Sequence, residues 1–187
     1  MVFILGLGNV LMGDDGFGPY VTGAFADQYE LGSEVEMIDL GTPGLDLTPW
    51  LADASHIIVI DTIRANEPPG TLRIYDKAAI VRNAPFARIG PHDPGLKETL
   101  LTLEFAGRAP DAVTLIGVVP ARVAMGTALS DPVAGALPAA LTAIVDELRR
   151  LDIQVRRRES AHGDRYRPWW NDDTIPIERG RVAVCER

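Results

Sequence analysis

Residues 2–18 read VFILGLGNVLMGDDGFG, and the fold turns on this stretch. A nearly continuous apolar run over 2–8 breaks into a glycine-rich turn. Beyond the turn, Phe17, Val21, Phe25 and Tyr29 recur every four residues, the apolar stripe of an amphipathic helix. A buried strand, a tight turn and a helix form the opening unit of an α/β sheet. Such turns usually receive phosphates, which are anions, yet this one carries Asp14 and Asp15. The dinucleotide pattern G-x-G-x-x-G is also incomplete, because Gly6 and Gly8 are followed by Leu11. Aspartates would repel a pyrophosphate from the helix N-terminus, and no Walker lysine follows. The turn therefore suits a cation, with Asp15 read as the contact and Asp14 as the cap of the first helix.

Four more strand-like runs follow: EVEMIDL (34–40), HIIVIDTI (56–63), TLRIYD (71–76) and AVTLIGVV (112–119). The runs at 2–8, 56–63 and 112–119 are apolar almost throughout, as in strands covered on both faces of a largely parallel sheet. Pro68-Pro69-Gly70 reads as a tight turn, so 71–76 is expected to run antiparallel to 56–63. Short helical patterns occur at Leu45, Leu47, Trp50 and Leu51 and over roughly 94–106. A longer one runs from Pro132 to about Leu151, with Ser130 as its N-cap and a kink or delayed start at Pro138. The expected fold is a three-layer α/β/α sandwich, phosphorylase/hydrolase-like, with a mostly parallel central sheet of about five strands. Residues 1–155 form this single domain. Residues 156–187 have no amphipathic period and read as a tail, either extended and packing through Trp169 and Trp170 or disordered.

The composition excludes several functions. Net charge is −8, so neither nucleic acid nor an anionic membrane is an expected partner. The acidity belongs to the domain, since the tail from Arg156 holds 8 arginines against 6 acidic residues. The single cysteine, Cys185, rules out an intrachain disulfide and fits a reducing compartment, so cytoplasm is the expected location. The N-terminal apolar run lacks a basic leader and is too short to span a membrane, which takes about 20 residues. No G-x-S-x-G elbow is present, and Cys185 has no histidine in a recognisable partner motif.

Function in α/β sheets gathers at the carboxyl ends of strands, where the strand order reverses. Asp15 follows the first strand, Asp61 ends IIVID, and His92 lies in the loop IGPHDPG (89–95). Two carboxylates and an imidazole can hold a divalent metal and leave positions open for water or substrate. Without a cation, two facing carboxylates would repel and one would take up a proton. Each residue also has a plainer reading. Asp15 could complement the helix dipole, Asp61 could cap the following turn, and His92 could hydrogen-bond its own loop. Asp39, before GTPG, reads as a turn former that could also face the site.

In order along the chain, GLGNVLMGDDGFGP (6–19), DLGTPGLDL (39–47), IIVIDTI (57–63), PPGTLRIYD (68–76), GPHDPGL (90–96), LIGVVP (115–120) and LSDPV (129–133) resemble the nickel–iron hydrogenase maturation endopeptidases. The resemblance spans about residues 2–151, and its most specific pieces are G-N-x-L-x-x-D-D-G-x-G and the P-H-D/Q-x-G loop. Peptidyl-tRNA hydrolases also open on a strand ending G-L-G-N, but their T-R-H-N segment has no counterpart here. The resemblance implies a protease that removes a C-terminal extension from a nickel-loaded [NiFe]-hydrogenase large-subunit precursor. The family's metal-binding and catalytic positions fall on Asp15, Asp61 and His92, and Asp39 matches a further acidic position. It also implies that the nickel comes with the substrate and that no permanent cofactor is held. Where the family often has D-G-G-T, this chain has Leu40 after Asp39, which alters the backbone of that loop. A non-cleaving nickel-binding chaperone or docking module is the alternative from another class.

Overall fold

Strands that are apolar on both faces need helices on both sides, and the chain supplies them. The structure is a computed structural model that describes residues 1–42, 47–83 and 95–158. β1 (Val2–Leu7) leads through a 3₁₀ turn (Asp14–Gly16) into α1 (Phe17–Gln28), β2 (Tyr29–Glu30) and β3 (Val35–Gly41). α2 (Thr48–Leu51), β4 (His56–Thr62), β5 (Leu72–Asp76), α3 (Lys77–Asn83) and α4 (Leu96–Phe105) follow. β6 (Ala112–Val118), α5 (Asp131–Gly135), α6 (Leu137–Arg150) and β7 (Arg156–Arg157) complete the order. Among the described residues no helix is long and apolar enough to cross a membrane.

The main sheet has the order β3-β1-β4-β6-β5, parallel except for β5, which is antiparallel to β6. Alternate residues of each strand serve opposite faces. Ile4, Ile58, Ile60, Ile116 and Val118 pack with α1, α5 and α6 through Phe17, Val21, Phe25, Val133, Ile144 and Leu148. Leu5, Leu7, Ile57, Val59, Val113 and Leu115 pack on the other face with Leu51, Ile80, Leu100 and Leu103 of α2, α3 and α4. This is the three-layer sandwich that the sequence predicts.

β5 departs from the expected pairing. It is antiparallel as predicted, but β6 lies between it and β4. The burial of each strand explains the swap. β6 is buried from Val113 to Val118 and takes the interior position, whereas Arg73, Ile74 and Asp76 of β5 are exposed and suit an edge. Pro138 acts as expected, breaking the last helix into α5 and α6, with Pro138 in the first turn of α6. Beyond residue 155, β7 pairs antiparallel with β2, and the Arg158 amide donates to the Gln28 carbonyl at 2.8 Å. Residues 159–187, with Trp169, Trp170 and Cys185, lie outside the described residues, as do Leu45 and His92.

Two glycines set how closely the first helix lies on the sheet. A Cβ on Gly18 would stand 2.2 Å from the Leu7 carbonyl oxygen and 2.7 Å from that of Ile60. A Cβ on Gly8, where φ is +132°, would stand 1.7 Å from the Asp15 carbonyl oxygen. Gly8 and Gly18 thus serve close backbone packing.

Asp14 does not cap α1, whose N-cap is Gly16 and has no side-chain hydrogen bond. It is 1% exposed and holds the loop that follows β6. Its Oδ2 accepts the amides of Ala121 and Arg122, both at 2.8 Å, and the Ser130 hydroxyl at 3.0 Å. Oδ1 accepts the Ser130 amide at 2.6 Å. Four donors around one buried carboxylate compensate its desolvation more fully than a single helix amide could. Ser130 is the N-cap residue of α5, as expected, but its hydroxyl makes no capping bond and donates to Asp14. Backbone bridges between Met12 and Gly126 and between Gly13 and Val123 bind the same two segments together.

At the amino end of β4, His56 Nε2 lies 2.9 Å from Glu147 Oε1 and 3.2 Å from the Thr114 hydroxyl oxygen. Thr114 donates to Glu147 at 2.6 Å, and Arg150 donates to both Glu147 oxygens at 2.6 and 2.9 Å. Hydrogen bonding from Arg150 holds the Glu147 carboxyl down at about 2. Burial lowers the His56 pKa, against the opposing pull of Glu147.

Two outcomes are expected. Asp14→Ala lowers the unfolding free energy by about 3 kcal/mol in denaturant titrations, with Asp14→Asn intermediate because it keeps one acceptor. Both His56 and Glu147 bind protons less readily folded than unfolded, so acidification favours the unfolded chain. Their stabilisation is complete above the unfolded His value of 6.5. It is lost below that, first as the unfolded histidine charges and then between 4.5 and about 2 as the carboxylate protonates. Tm should therefore fall steadily from about pH 8 to about pH 3, and His56→Gln should flatten the part near neutrality.

Candidate functional site

The sheet reverses its order between β1 and β4, since β3 lies outside β1 on one side and β6 outside β4 on the other. Asp15 and Asp61 reach this switch point from the two strands that flank it, as the sequence predicts. Asp15 sits in the 3₁₀ turn after β1 and is partly exposed. Asp61 is the next-to-last residue of β4 and is 6% exposed.

The turn geometry orients Asp15. The Asn9 amide donates to Asp15 Oδ2 at 2.9 Å and to the Asp15 carbonyl at 3.1 Å, while Asn9 Oδ1 accepts the Leu11 amide at 2.9 Å. The turn is thus closed on itself, and the carboxylate is fixed at its mouth. Thr62 joins the two acids. Its amide donates to Asp61 Oδ1 at 2.8 Å, and its hydroxyl donates to Asp15 Oδ1 at 3.4 Å. Each carboxylate oxygen has two lone pairs, so these bonds set direction and leave Asp15 able to accept a cation.

The plainer readings fare differently at each acid. The donor to the Asp15 side chain from the turn is Asn9, not an amide of α1. Asp61 does accept the amide that follows it, the local contact expected of a turn cap. Asp39 is exposed, and its Oδ1 accepts the Gly41 amide at 3.0 Å, which is the turn-forming reading. It also stands on the rim of a cleft of about 180 Å³, between Gly8, Asn9 and Gly41 on the other side of β1. Along the carboxyl edge of the sheet the acids therefore run Asp39, Asp15, Asp61, following the order β3, β1, β4.

Among the described residues no group of three histidine, cysteine or acidic side chains is close enough to hold a metal. The expected third ligand, His92, lies outside them. Two carboxylates on one rim supply hard oxygen donors and negative charge, a chemistry for a divalent cation or for general-base work. Sequence reasoning missed Thr62 and the amide of Asn9. The signal for Thr62 was its place directly after an acid at a strand end, where its amide and hydroxyl lie within reach of the crevice.

Comparison with known proteins gives the family of the chain. Residues 19–147 match the hydrogenase maturation protease family HycI. The chain is 34% identical over 158 residues to the hydrogenase expression/formation protein HupD of Rhizobium leguminosarum bv. viciae, covering 84% of this chain and 78% of that one. It is 32% identical over 165 residues to the hydrogenase 2 maturation protease of Escherichia coli K12, covering 86% of this chain and 98% of that protein. The solved structure of the hydrogenase maturating endopeptidase HybD from E. coli superposes with a TM-score of 0.76 at 30% identity, over 84% of this chain and 97% of that one. The chain belongs to the hydrogenase maturation protease family and is a peptide-bond hydrolase.

Proposed function

We propose that this protein removes the C-terminal extension of a nickel-loaded [NiFe]-hydrogenase large-subunit precursor and recognises the bound nickel through Asp15, Asp61 and His92. The observation that carries the reading is the convergence of Asp15 and Asp61 at the switch point, joined through Thr62, in a chain of this family. The nickel arrives as part of the substrate. The two carboxylates supply oxygen ligands, and His92 supplies an imidazole from its loop. Ligation places the scissile carbonyl against the crevice, which converts an encounter into an oriented complex. One of the two carboxylates takes the proton of the attacking water. An empty precursor offers no ligand bridge and so is not cut, which makes nickel occupancy the licence for cleavage. The protein acts in the cytoplasm, where the precursor is assembled.

Purified nickel-loaded precursor should shorten on incubation with the protein, seen as a mobility shift, while nickel-free precursor stays intact. Asp15→Asn, Asp61→Asn and His92→Ala should each reduce the rate at least about a hundredfold with Tm near the wild-type value. Wild-type protein that binds precursor without ever shortening it would instead point to a docking module. Elemental analysis of the protein purified alone should find less than stoichiometric metal; a tightly held ion would assign it a resident cofactor and overturn the substrate-borne nickel.

A further inference from the structure

We propose that Thr62 is a positioning residue that locks the two aspartates of the crevice into one arrangement by engaging both at once. Its backbone is fixed first. Thr62 ends β4 in register with Val118 of β6, and the next amide, that of Ile63, donates to the Val118 carbonyl at 2.8 Å. The Thr62 amide then holds Asp61 Oδ1 at 2.8 Å. The side chain is 2% exposed, and a β-branched residue has few χ1 choices, so the direction of its hydroxyl follows from the strand. That hydroxyl meets Asp15 Oδ1 at 3.4 Å, longer than the ordinary O–H···O bond of about 2.5–3.0 Å and correspondingly weak.

Asp15 is thereby held from both of its oxygens, by Asn9 from its own turn and by Thr62 from the neighbouring strand. The second contact ties the carboxylate itself to β4, on which the start of α1 already packs through Gly18. Without it, main-chain packing still places the turn, but the Asn9 amide alone holds the carboxylate, and no direct bond sets its orientation toward Asp61. An alanine or valine at 62 would keep the amide on Asp61 and remove only the link to Asp15. Thr62 touches neither substrate nor metal in this scheme and acts through Asp15.

The test compares Thr62→Val, which keeps the shape, with Thr62→Ser, which keeps the hydroxyl. Its geometric arm stands alone; its activity arm rests on the proposed function. In crystal structures, Thr62→Val should displace the Asp15 carboxylate by more than about 0.5 Å while leaving Asp61 in place, and Thr62→Ser should restore it. Processing of nickel-loaded precursor by Thr62→Val should fall about tenfold in kcat/KM with Tm unchanged, again restored by serine. Should the valine variant not fold, Thr62→Ala carries the same comparison. An Asp15 carboxylate that keeps its position in the valine or alanine variant overturns the proposal, whatever the rate. If wild-type protein cleaves no precursor, the proposed function falls, and a displacement of Asp15 that serine reverses still establishes the positioning role.

Discussion

The near-contact of α1 with the backbones of β1 and β4 at Gly18 governs the geometry of everything above the sheet. No side chain separates the helix start from the Leu7 and Ile60 carbonyls. The turn between β1 and α1 is consequently pressed over the gap between these two strands. Gly8, which passes the Asp15 carbonyl with no room for a Cβ, completes the constraint. The placement of Asp15 beside Thr62 is a consequence of main-chain packing. The acid lies over the switch point because the helix that follows it can lie nowhere else.

The twin aspartates that open the chain divide into one that is enclosed and one that is not. Asp14 is buried and enclosed by four donors from the loop after β6, which satisfy its oxygens locally. Asp15, one residue on, remains partly exposed and contributes its charge to the crevice with Asp61 and, farther along the edge, Asp39. The His56–Thr114–Glu147–Arg150 group belongs to the other end of β4, about 15–20 Å away by strand rise. Its titration therefore governs stability and leaves the crevice field to the acids at the carboxyl edge.

Much of this was legible in the sequence, for physical reasons that can be named. Strands buried on both faces must be apolar throughout, so β1, β4 and β6 stood out, and an acid ending such a run at Asp61 marked a candidate site. The resemblance to hydrogenase maturation endopeptidases agreed with the same two acids. What escaped was non-local. The partners of Asp14 lie 107 to 116 residues away, and nothing in the local pattern of GDDG announces them. The edge position of β5 depends on its burial relative to β6, a comparison between strands that alternation within either one does not contain. β2 and β7 have two residues each, too few to show any period. Thr62 was hidden because its function combines a backbone group with a side-chain group.

The bridges from Met12 and Gly13 to Gly126 and Val123 bear on how a partner would be met. They join the turn that carries Asp15 to the loop after β6, so the two move as one body with the Asp14 carboxylate buried in the joint. A surface built this way has little conformational freedom left to lose on association, and its partner meets it in the shape it already has. Discrimination then falls to the partner, which must fit a template that is already set.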